Sequence, residues 1–422
     1  MNQRGRLRAS ALFYAVTVAL VIAMVTGSSV LLAHYRMVEV ERWLALQRAA
    51  SNARSGITWA LTQQPGPKRR DPLFAGDTST VEWSRMPYGL FDLITVRDSE
   101  GNRTVSRSAY AAILERKGPV LSLPKGSGPL HLCGDARIHG DAIVHQADLR
   151  RGYIDGRPYT GEQLIDGTVS ASERPNPGLE AAWRSRVQAA CERGLLEGQV
   201  IVDAETLAQR SDEVFPPTMP VLIWTARHLS ARSFQGPLII RSEDTLVIDP
   251  DAELDMVMLQ APYIDIRSKA GITVQCFATR GIHVATAVHL AHPSLLCVMP
   301  GRGDEGHVGI TLDSNAVVLG GVLAIRSTTT TGAAPQIAIG PNALVLGTVH
   351  CEGGVELRGE VDGRVTADHL VVRTSSSTYQ GYLLDGVLRP DTLGGALSVA
   401  PDPRSNWSIV KWNTLADPYA AE

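Results

Sequence analysis

The chain has 422 residues, with 40 Lys+Arg against 43 Asp+Glu and a formal charge of −3. Apolar residues make up 44% and charged residues 20%, which excludes a disordered chain, and the near-neutral balance gives no support for a nucleic-acid binder, which would normally show a basic face. The 39 glycines and only 5% aromatics suit stacked short strands more than a helical bundle, and the length accommodates two or three domains.

Residues 1–8 read as a basic cytoplasmic leader, with Arg4, Arg6 and Arg8 and no acid. Residues 9–33 carry no charge. As a helix this run is about 37 Å long, enough to cross a hydrocarbon core of about 30 Å. The basic flank predicts a single-pass protein of the cytoplasmic (inner) membrane with its C-terminal part extracytoplasmic. A cleaved secretory signal is the rival reading, but the run exceeds the usual core of such a signal and shows no clear small-x-small site. Residues 34–64 continue as an amphipathic stalk helix. Its apolar seam is Trp43, Leu46, Ala50, Ala53, Ile57 and Ala60, at near-heptad spacing. The small residues would admit a close neighbour, either another helix or the protein's own next domain. Pro65-Gly66-Pro67 then stops the helix.

Residues 65–117 read as a small antiparallel β region, with strands over Tyr88 to Asp98 and Arg103 to Leu114 joined by the turn Ser99-Glu100-Gly101-Asn102. Basic leader, apolar helix, small-residue stalk (Leu46 to Leu61) and antiparallel strands together resemble the type IV minor pilins and pseudopilins. The resemblance covers about the first 110 residues. It implies pilin-like or secretion-apparatus proteins as partners, alongside the membrane itself. The leader-peptidase pattern of that family is not satisfied, because Gly5 is followed by Arg6, Leu7, Arg8, Ala9 and Ser10.

The C-terminal two-thirds carries a repeat. Residues 310–322 and 337–349 are identical at seven of thirteen positions, at an offset of 27. Further units open at Leu238, Val257, Val274, Leu295, Val322, Val349 and Val365, each followed by a short strand. This pattern predicts a mainly β fold, a β-solenoid of parallel β-helix type that resembles bactofilin-like and parallel β-helix proteins. Residues 118–172 form a first solenoid block, 173–236 a helical or irregular insertion with a helix over Leu179 to Leu196, and 237–390 the main solenoid. The 391–422 tail, with Trp407 and Trp412, reads as a cap or closing strand over an open coil end; aromatics for glycan stacking are the alternative.

Cys276, Cys297 and Cys351 share one position of the coil opening and are predicted to form an inward ladder of small apolar fillers. Cys276 and Cys297 on adjacent rungs would also meet the separation that a disulfide needs. His283, His289 and His292, with Asp304, Glu305 and His307 beyond, match no metal-ligand spacing. The acids at 249–255 and 352–362 crowd single turns, unlike the paired carboxylates of a glycosidase. No nucleotide, haem or metal motif is present, so no cofactor, metal or catalytic residue is assigned. The sequence reads as a membrane-anchored envelope protein with a structural, adhesive or assembly role, with cell-envelope glycans as a further partner class. The alternatives are a polysaccharide-binding or polysaccharide-degrading β-helix enzyme and a bactofilin-like polymerising scaffold.

Overall fold

The computed structural model describes residues 4–73, 80–100, 103–114, 118–176, 178–192, 200–203, 221–224, 227–230, 233–301, 308–327, 334–391 and 407–413. One helix, α1, runs unbroken over Arg4–Ala60. No proline interrupts those 57 residues, so the apolar run passes into the stalk without a joint. This helix is long and apolar enough to cross a membrane, with an 18-residue window of mean hydropathy 2.3 that is wholly unburied. It ends at Ala60, ahead of the Pro65–Pro67 stop, as Leu61 and Gln63 bond back to Ile57 and Ala60.

Four antiparallel strands follow: β1 (Gly66–Pro72), β2 (Thr80–Tyr88), β3 (Phe91–Glu100) and β4 (Arg103–Ile113). A fifth strand, Trp407–Trp412, pairs antiparallel with β4. The tail therefore returns as a closing strand, but it closes this sheet and not an open coil end. In β2, Val81, Trp83 and Arg85 face α1 while Tyr88 lies on the opposite, also buried side, so the sheet is covered on both faces and keeps a free edge at β4.

Most of the remaining strands form a coil of parallel strands stacked in register around one apolar interior. One inward row runs Ile240, Leu259, Cys276, Leu296, Val322, Val349, Val365, Leu121, Ala142 and Val169, each paired with the next. Each strand pairs its backbone with the rungs above and below, while its inward side chains fill a core that no single coil could enclose. The repeat lies in register, with Ile310 on Ile337 and Val322 on Val349. Its two asparagines, Asn315 and Asn342, occupy the same left-handed turn at φ 60° and 57°.

The order of the stack differs from the order of the chain. The block from residue 118 lies beyond Val365, at the far end of the main coil. The main coil begins with Val200–Asp203 and Val221–Trp224, inside the segment expected to be an insertion. Between the two blocks, helix α2 (Ala181–Cys191) runs back along the outside of the coil. Parallel strands need a crossover, and α2 supplies it.

Candidate functional site at the helix, sheet and coil junction

The last three turns of α1 lie on the sheet. Ala49, Ala53, Ile57 and Ala60 are fully buried against Val81, Trp83, Ile94, Val96, Ala109 and Ala111. The approach is close enough that a Cβ at Gly56 would sit 2.8 Å from Val96 Cγ1. Of the predicted seam, Ala53, Ile57 and Ala60 are in this contact, Leu46 and Ala50 are half-buried, and Trp43 is 56% exposed. The heptad reading missed Ala49 and Gly56. A straight helix drifts from a 3.5-residue repeat, so the buried stripe rotates away from Trp43 and onto those two positions.

Above this contact sits a buried charged node. Arg85 is 2% exposed; its Nη1 donates to the carbonyls of Leu61 (2.9 Å) and Gln63 (2.7 Å) at the end of α1, and its Nε donates to Asp92 (2.7 Å). Asp92 also pairs with Arg186 of α2 at 2.9 Å. Arg186 donates to the carbonyls of Gly89 (3.0 Å) and Phe91. Burial lowers the pKa of Arg186, and Asp92 opposes that shift. Trp407 of the C-terminal strand covers the node, 4.4 Å from the Arg85 guanidinium and 6.0 Å from the Trp183 ring. The end of α1, the sheet, α2 and the tail thus converge on three charged side chains.

The sheet is tied to the coil next to the node. The Tyr88 hydroxyl donates to the carbonyls of Leu238 (2.7 Å) or Met256 (2.9 Å), and Gln275 bonds both Leu90 N–H and the Tyr88 carbonyl. Phe91, Leu93 and Tyr110 pack with Trp183 and Val187 of α2 on outward-facing Ile239, Met258, Phe277 and Leu295. At its other end α2 is held by Glu352, which accepts from Leu179 N–H (2.9 Å), Arg326 N–H (2.8 Å) and Arg184. Burial disfavours the charge on Glu352. His350, those two N–H groups and Arg184 outweigh it and hold the carboxyl at about 2.

The predicted cysteine ladder requires correction. Cys276 and Cys351 do face the interior, but on neighbouring rows: Cys276 pairs with Leu259 and Leu296, Cys351 with Ala324 and Ala367. Cys297 points outward, beneath α2, paired with Phe277 and Leu323. The run Leu295-Leu296-Cys297-Val298 is apolar on both sides because α2 covers the outer one, and alternation there cannot fix register. All five cysteines are free and buried. Burial pushes Cys191 up to about 12 and raises Cys276, Cys297 and Cys351.

His283 bridges Asp265 (2.8 Å) and Asp313 (3.1 Å) through its two ring nitrogens. Among the described residues no three His, Cys, Asp or Glu side chains are placed to hold a metal ion. Asp304, Glu305, His307 and the end of the predicted helix from residue 193 lie outside the described residues. Within the predicted helix, Leu179, Trp183, Val187, Ala190 and Cys191 are all buried. The crowded acids are engaged individually: Asp255 with Lys411, Glu356 with Arg358 and Arg373, Glu360 with Arg389.

No protein-family model matches the chain, and no curated protein does. One solved structure found in comparison is the crystal structure of the competence-associated pilin ComZ from Thermus thermophilus. Its match spans 83% of this chain and 86% of that one at 8% identity, with a TM-score of 0.21. At that score the likeness carries no argument, and the reading below rests on the chain's own helix, sheet and coil.

Proposed function

We propose that this protein is a membrane-anchored accessory component of a pilus-like or secretion-like apparatus, displaying its coil outside the cytoplasm. The observation that carries the reading is the continuity of α1. One unjointed helix leads from the apolar run into a buried contact with an antiparallel sheet, and the charged node fixes its end to the coil. A signal destined for removal has no need of a helix that continues into the folded domain.

The role is structural and not catalytic in this reading. The acids at Asp255, Glu352, Glu356 and Glu360 serve ion pairs that bind elements together. Crosslinking of the full-length protein in its native cells, with partners identified by mass spectrometry, tests the proposal. It predicts recovery of pilin-like subunits or of a secretion system's membrane platform. Recovery of only its own copies would point to a self-assembling scaffold instead.

A further inference from the structure

One outward row of the coil is unlike the others. Tyr263, Gly281, Gly309, Gln336, Gly354 and His369 pair successively across six rungs. Five steps of about 4.8 Å make a straight track of roughly 24 Å along the coil axis. Three of its positions have no side chain. A ring covers the adjacent glycine at each end: a Cβ on Gly281 would lie 2.8 Å from the Tyr263 ring, and one on Gly354 would lie 3.0 Å from His369 Nε2. Tyr263 is therefore laid against the coil and is still 39% exposed.

The row beside it is polar at four of its five positions, Asp265, His283, Thr311 and Glu356, with Ala338 between the last two. Asp265 is fixed by Arg267 at 2.8 Å and by His283, which also holds Asp313, so these acceptors are set in place before any ligand arrives. Thr311 is exposed. On the track itself, Gln336 Oε1 is shielded yet has no hydrogen-bond partner among the described residues.

We propose that this track seats a linear, uncharged saccharide of flat ribbon form, with one pyranose ring against Tyr263. An aromatic face takes the C–H face of a sugar, while fixed carboxylates and an amide oxygen accept its hydroxyls. A peptide strand fits less well, because the backbone along the track is already paired rung to rung and offers no free edge. Asp265 and Glu356 are paired with arginines, and it is Asp313, on His283 and facing solvent, that an acidic polysaccharide would meet. A straight floor suits the ribbon of a β-1,4-linked chain and not a coiled polymer. This ligand is independent of the apparatus reading above, and either can fail alone.

The test is calorimetric titration of the full-length protein in detergent micelles with cellohexaose, chitohexaose and hexagalacturonate. At least one neutral hexamer binds and the acidic one does not. Tyr263→Phe retains binding, Tyr263→Ala weakens it about tenfold, and Thr311→Arg, at an exposed position, blocks the track without changing the melting temperature. Absence of binding by both neutral hexamers overturns the proposal, as does binding that neither Tyr263→Ala nor Thr311→Arg alters.

Discussion

Val365 pairs with Leu121, so the last full rung of the main coil is continued by a strand that the chain made much earlier. The amide of Val365 also donates to the carbonyl of Val120 at 2.8 Å. Two blocks far apart in sequence share one stack and one interior. Leu121 is fully buried in that interior. Leu121→Ala should cost about 2–5 kcal/mol and loosen both blocks together. Hydrogen exchange would show amides around 121–144 and 360–367 losing protection in step; independent exchange of the two segments would contradict a shared core.

Arg85, 2% exposed, serves three acceptors. Arg85→Met removes the positive charge and leaves Asp92 with Arg186 alone, while the Leu61 and Gln63 carbonyls lose their donor. The expected loss is about 3–5 kcal/mol, read as a lowered melting temperature of the full-length chain. A variant that melts like the parent would show that the node contributes nothing to the junction.

Cys297 and Cys276 lie on opposite sides of the coil wall, so the same substitution should have different consequences. Cys297→Asp buries an unpaired charge under α2 and should release that helix at a cost of several kcal/mol. Limited proteolysis would then cut within 181–191 while the coil stays resistant. Cys276→Asp places the charge in the interior and should make the coil itself susceptible. Equal digestion patterns for the two variants would put both residues on one face.

Glu352 ties stability to acid. Its carboxyl is held at about 2, below the ordinary glutamate value. The ionised form therefore stabilises the folded chain at any pH above about 4.3, and the contribution disappears as pH falls toward 2. Its size is on the order of 3 kcal/mol. Glu352→Gln should lower the melting temperature at neutral pH and flatten its fall between about pH 5 and pH 2. An unchanged acid profile would remove Glu352 from the docking of α2.

Much of this architecture was legible in sequence, and the gaps share a cause. The uncharged run, the repeat at 310 and 337, and the face of α2 each carry a periodic signal that one buried side imposes. Register failed at Leu295–Val298, where both sides are apolar. The stacking of Leu121 on Val365 and the return of Trp407 to β4 are pairings between distant segments, and no local pattern specifies them. The Arg85–Asp92–Arg186 node was missed for the same reason. Each of its residues reads as an ordinary surface charge until three elements enclose them.

The central claim is that α1 crosses the membrane and holds the coil on its far side. Every cysteine of the chain is buried, so Thr311→Cys, at an exposed coil position, supplies one reactive thiol. Labelling of that variant with a membrane-impermeant maleimide in intact spheroplasts measures the claim directly. The account predicts labelling before lysis, to the same extent as after it. A thiol that reacts only once the cells are broken would place the coil in the cytoplasm and contradict it.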